Sequence, residues 1–151
     1  MIDFHNHVLP GIDDGSQNFE MSISMLKEAY SQGIREVVNT VHLQHPKMDG
    51  MVTNLSDMQD LADNLTDALR QVDMDIKIHL SAEVYFLPNL KEIKEIEYST
   101  IGNEKYMLIE FQTHQFPKNY KNVLFELYMD GTTPIIAHPE RYKAIQSDLP
   151  M

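Results

Sequence analysis

Residues 105–111 read KYMLIEF, a short apolar run that ends beside a carboxylate. A run this short and this apolar predicts a strand covered on both faces, as in parallel sheets. Glu110 then falls at the carboxyl end of that strand, and the same arrangement recurs on either side. Upstream, 75–84 (DIKIHLSAEV) alternates as a strand and ends at Glu83. Downstream, 133–138 (TPIIAH) is a strand ending on His138. Further upstream, 34–41 (IREVVNTV) is rich in β-branched residues and runs into His42, and 1–4 (MIDF) runs into His5-Asn6-His7.

Between these strands lie helical patterns. The stretch 18–33 carries Phe19, Ile23, Leu26 and Tyr30 at helical spacing, with Ser16 or Asn18 as its cap and Gly33 as its stop. The stretch 51–72 repeats Leu55, Met58, Leu61, Leu65 and Leu69. Shorter patterns cover 87–97 and 120–131, the latter closed by Gly131, and a further helix begins within 139–148. The order is β-α-β-α-β-α-β-α-β, which predicts an α/β fold of about five parallel strands with helices outside. An open doubly wound sheet and a (β/α) barrel both satisfy it. No Gly-rich phosphate loop follows any strand, which weakens a nucleotide-binding sheet.

Composition narrows the function. The 151 residues predict one domain, with 42% hydrophobic and 23% charged residues. Twelve basic against 23 acidic residues leave a net charge of −11, which repels nucleic acid. No apolar run approaches the ~20 residues that span a bilayer, so membrane insertion is not expected. The absence of Cys excludes disulfides and thiolate zinc sites within these residues and fits a cytoplasmic protein.

Five successive strands thus place a His or Glu at the carboxyl end, where α/β folds build their sites. Residues two apart on a strand share a face and stand roughly 6.6 Å apart, so His5 and His7 can lean toward one ion. His and carboxylate donors without thiolate suit manganese, zinc, iron or cobalt. Singly, each has a plainer reading: Glu110 as a buried acid paired with Arg, His138 as a strand-end cap, His42 as a polar loop residue. His79 is expected to be a packed or surface histidine and His114 an exposed loop residue. His45 could line the mouth of the site.

The blocks DFHNHVLPGIDDG (3–15), TVHLQHP (40–46), SAEVYF (81–86), LIEF (108–111) and IIAHPERY (135–142) resemble the polymerase and histidinol phosphatase (PHP) family of metal-dependent phosphoesterases. The likeness is greatest to its bacterial tyrosine-protein phosphatase branch, tied to capsule and exopolysaccharide synthesis. The resemblance covers the whole chain and implies a distorted (β/α)₇ barrel with up to three ions, manganese first. It implies that His5 and His7 hold one ion, that Glu83 bridges to a second held by Glu110 and His138, and that Asp14 and His42 serve a third. Asp14 is preferred to Asp13 only because the family has Asp immediately before Gly; spacing alone leaves both open. Arg141 would face the phosphate.

The family closes its site with an Asp-x-His on a late strand, and nothing after His138 supplies one. Residues 1–151 are therefore expected to be the N-terminal part of a single PHP-type domain, an incomplete barrel whose open edge favours oligomers. The implied activity is phosphomonoester hydrolysis, with phosphotyrosine protein as substrate and a bacterial tyrosine kinase as a candidate partner. The alternatives are a histidinol-phosphate-type phosphatase, or a catalytically impaired metal-binding fragment that assembles with a partner chain.

Overall fold

The computed structural model describes residues 1–48 and 54–147. Residues 51–53 of the second expected helix and Asp148 of the last lie outside the described residues. Five strands alternate with helices in the expected order: β1 (Ile2–Asn6), α1 (Phe19–Ser31), β2 (Glu36–Leu43), α2 (Leu55–Arg70), β3 (Lys77–Tyr85), α3 (Leu90–Ile93), β4 (Tyr106–Glu110), α4 (Tyr120–Met129) and β5 (Thr133–Ile136). A 3₁₀ turn, Pro139–Arg141, and the short helix α5 (Lys143–Gln146) follow. The fold is α/β with the strands ordered β1-β2-β3-β4-β5. The chain divides into two compact units, residues 1–42 with 46–81, and 43–45 with 82–151.

In the first unit β1 pairs with β2 in parallel. Asp3 stands opposite Val37 and Asn6 opposite Asn39, so β1 spends one more residue than β2 over this interval. Such a bulge bends a strand and re-aims its side chains, here those of Phe4 and His5. Asp3 braces it, accepting from the His5 amide at 3.3 Å and from Asn6 Nδ2 at 2.8 Å. Val37 through Val41 of β2 are all buried, as a strand covered on both faces requires.

Helix α1 starts where the Asn18 side chain accepts from the Met21 amide, so Asn18 is the cap. Ser16, the other candidate, is buried and bonded to Ser22 Oγ at 2.7 Å. Gly33 ends the helix in the left-handed region, at φ +87°. The buried face of α1 is Ser22 and Leu26, whereas Phe19 is 37% exposed, because the Ser16–Ser22 bond takes the inward position. Helix α2 buries Met58, Ala62, Leu65 and Leu69, one stripe of an amphipathic helix, and packs on α1. Each buried Leu or Met contributes roughly 1.5–3 kcal/mol.

In the second unit the end of β3, from Ala82, runs parallel to β4, and β4 to β5, with Glu83 opposite Leu108 and Tyr85 opposite Glu110. Met107, Leu108 and Ile109 are buried. Helix α3 is shorter than the expected 87–97, because turns succeed it at Lys94. The 138–142 block is pinned by Tyr142, whose buried hydroxyl accepts from the Phe111 amide at 3.0 Å. Burial pushes the Tyr142 hydroxyl up to about 12, with Glu110 and Glu83 adding to the rise.

Candidate metal centre

The first unit assembles three expected residues. One ligand atom each from His7, Asp14 and His42 lies within 4.8 Å of the other two. His42 Nε2 is 3.2 Å from Asp14 Oδ1, and the rings of His7 and His42 stand 4.8 Å apart by centroid. The His5 ring is 5.5 Å from that of His7. Two donors on one ion are separated by at most about 4.2 Å, twice a bond of ~2.1 Å; the His42–Asp14 pair meets that limit at 3.2 Å, and the set has the donor chemistry of a divalent-cation site.

The loop after β1 makes this possible. Asn39, buried on β2, accepts from the amides of Val8 and Leu9 at 2.7 and 2.8 Å. The loop then returns: the Ser16 amide donates to the His7 carbonyl at 3.0 Å. Gly15 is needed at the return, since a Cβ there would stand 2.3 Å from His7 Cβ and from the His7 carbonyl oxygen. The two aspartates of DDG take different places. Asp13 is nearly buried with Oδ2 2.7 Å from His7 Nδ1, and Oδ1 accepts from the Gly15 amide at 3.0 Å. Asp14 is 63% exposed beside His42. Burial pulls the Asp13 carboxyl up, but the His7 ring, the Gly15 amide and His42 together outweigh it and hold Asp13 below the usual carboxylate range.

The second unit joins three more of the expected residues. His138 Nε2 is 2.9 Å from Glu83 Oε1 and 3.4 Å from Glu110 Oε1. Glu83 is buried, and register places it two residues short of the end of β3 rather than at the end itself. His42 likewise precedes the last residue of β2, and His138 lies two residues beyond β5. His138 adopts φ +30°, a left-handed backbone that turns the chain into Pro139–Arg141. Glu110 and Glu83 push the His138 ring up to about 9, against burial and the nearby Arg141 charge. Arg141 itself is exposed, with Nε 3.9 Å from Glu140 Oε1.

His45 is closer to these donors than its sequence suggested. Its Nε2 is 3.6 Å from Glu110 Oε2 and its ring stands edge-on to Tyr85 at 5.2 Å. The Gln44 side chain donates to the Tyr85 carbonyl at 2.7 Å, and Gln44 takes φ +52°. Spacing after His42 was the only signal in the sequence. His79 bonds Glu36 at 2.8 Å and is part-exposed, and His114 is exposed; among the described residues neither joins a donor set. Asn39 and Tyr142 were not singled out in sequence, because an Asn in a strand and a Tyr near a helix carry no mark of what they anchor.

Parallel strands with histidine and carboxylate side chains near their carboxyl ends define an α/β protein with candidate ligands for a divalent cation in each unit. Its family is also shown: the chain matches the capsular polysaccharide synthesis family CpsB/CapC over residues 1–151 and belongs to it. It is 34% identical to tyrosine-protein phosphatase CpsB of Streptococcus pneumoniae, with 98% of this chain and 60% of that protein covered. It is 31% identical to the putative tyrosine-protein phosphatase CapC of Staphylococcus aureus, over 99% of this chain and 58% of that one. A chain from the crystal structures of YwqE from Bacillus subtilis and CpsB from S. pneumoniae, described as unique metal-dependent tyrosine phosphatases, matches with a TM-score of 0.85. That match has 30% identity and covers 97% of this chain and 59% of the other. The chain thus spans about three fifths of the length of the relatives it matches.

Proposed function

We propose that this chain supplies metal-ligating residues of a protein-tyrosine phosphatase of capsule or exopolysaccharide regulation. His5, His7, Asp14, His42, Glu83, Glu110 and His138 form the ligand set, and manganese is the first choice of metal. The observation that carries the reading is the convergence of His7 and Asp14, seven residues apart, with His42 of β2, to within 4.8 Å. The relatives' names and the 0.85 structural likeness support the phosphotyrosine assignment. Residues 1–151 act as the N-terminal part of one PHP-type domain.

A bound divalent ion would neutralise phosphoryl oxygens and lower the pKa of water. The protein side chains do the rest. Glu83 and Glu110 set the negative charge that draws cations into an acidic chain, and His138 shares it. Arg141 sits three residues after His138, on the turn that Tyr142 pins to the end of β4, and from there its guanidinium can hold phosphoryl oxygens and offset their growing charge. These 151 residues contain no Cys, so none of them offers a thiolate nucleophile, and direct attack by water fits the donor set better.

The test is hydrolysis of a phosphotyrosine peptide and of histidinol phosphate, each with manganese and with EDTA. Manganese-dependent turnover of the peptide alone is expected. Preference for histidinol phosphate moves the reading to that branch, and equal rates with EDTA remove the metal mechanism. Metal uptake without turnover marks an impaired fragment. The partner in the cell would be a phosphotyrosine protein such as a bacterial tyrosine kinase, met in the cytoplasm; among the described residues no helix is long and apolar enough to cross a membrane. Exposed Ile2 and Phe4 on β1, with Met1 before it, support self-association, which sedimentation would test.

A further inference from the structure

We infer that Asp13 is a positioning residue: it holds His7 in the tautomer whose Nδ1 carries the proton, leaving the Nε2 lone pair for a cation. The inference rests on the metal-centre reading above and deepens it. A neutral imidazole has one donor and one acceptor nitrogen, and the partner of one decides the state of the other. Asp13 Oδ2 lies 2.7 Å from His7 Nδ1, and a carboxylate can only accept there.

The carboxylate cannot turn away. Its other oxygen is held by the Gly15 amide at 3.0 Å, and its side chain is only 5% exposed. The loop that carries it is closed by the Ser16 amide on the His7 carbonyl and by the Gly11 amide on the Ser16 carbonyl at 2.7 Å. Gly15 lets that closure come within contact of His7, where any side chain would collide. Asp13 is thus turned toward the His7 ring and the Gly15 amide, and Asp14 is the aspartate whose oxygen groups with His42. The DDG triplet thus divides into a residue that orients, a residue that binds and a residue that makes room. Carboxylates behind metal-binding histidines commonly act this way.

Asp13→Asn tests this with little change of shape. If the introduced amide keeps its oxygen on the Gly15 amide, its NH₂ faces His7 Nδ1, which must then accept and move the proton to Nε2. Manganese binding by the full chain is measured by calorimetry for the wild type, Asp13→Asn and His7→Ala. The expected result is a loss of about 10- to 100-fold in affinity for Asp13→Asn. Wild-type affinity in Asp13→Asn, with binding lost in His7→Ala, overturns the role of Asp13 and leaves the metal reading standing. Unchanged binding in both variants overturns the metal reading at His7 itself. Should Asp13→Asn fail to fold, ¹⁵N shifts of the His7 ring in the metal-free wild-type chain, above the ring's titration, decide directly. A protonated Nδ1 is expected, and a protonated Nε2 sinks the inference.

Discussion

The two donor sets are built by different means. In the first unit, His7, Asp14 and His42 depend on a loop, residues 8–16, folded back on itself by backbone hydrogen bonds and admitted by Gly15. In the second, Glu83 and Glu110 are strand residues in fixed register, and only His138 stands on a turn. Composition differs too. The first set has two histidines to one exposed aspartate, whereas the second has two glutamates to one histidine. Two carboxylates beside one imidazole favour a proton on it, which is why His138 is pushed up to about 9. Loop-built and strand-built sites are therefore expected to fail differently, the former through conformation and the latter through charge.

The largest effect should come from the strand-built set. Glu83→Ala removes a buried carboxylate with no loop to rearrange around it. Manganese affinity should fall more than about 100-fold, beyond the usual cost of losing a supporting residue. Calorimetry checks this, and a loss below about tenfold, the low end of that cost, would mean that Glu83 is not a ligand.

Gly15→Ala attacks the loop-built set instead. The new methyl meets His7 Cβ and carbonyl at 2.3 Å, so the loop must open. A destabilisation of about 1–3 kcal/mol is expected, read as a lower urea midpoint at unchanged slope. Wild-type stability would show that the loop is looser than its hydrogen bonds suggest.

Charge should make the strand-built set pH-sensitive. The folded pKa of His138, about 9, exceeds its ordinary 6.5. The proton therefore stabilises the metal-free fold fully below pH 6.5, and that contribution is lost as pH rises to about 9. The melting temperature without metal should decline across this window, and His138→Gln should flatten the decline. The same proton competes with a cation, so manganese affinity should drop by up to about tenfold per pH unit below 9. A slope retained in His138→Gln would place the titration elsewhere. The smallest change is expected from His45→Ala. At 3.6 Å from Glu110 it supports a carboxylate loosely, and a loss of about tenfold or less in affinity is predicted.

Much of this was legible in the chain itself. Short apolar runs alternating with amphipathic stretches specify strands and helices through local periodicity, and the order of elements follows as read. The candidate donor residues were visible because polar groups at the ends of apolar strands contradict their surroundings. Their exact depth was not, since Glu83 and His42 lie inside strands whose ends depend on pairing with neighbours. The third helix shortened because turns took over from it, and Phe19 stayed exposed because two serines bonded to each other beneath α1.

The sequence alone thus determined the α/β class and the element order, and it marked the candidate donors, because these rest on patterns a few residues long. Only the tertiary structure separated Asp13 from Asp14, brought His45 to Glu110 and revealed Asn39 as the anchor of the loop. Each of these depends on which groups meet across a fold, and the identity of a side chain does not say which partner will satisfy its hydrogen bonds.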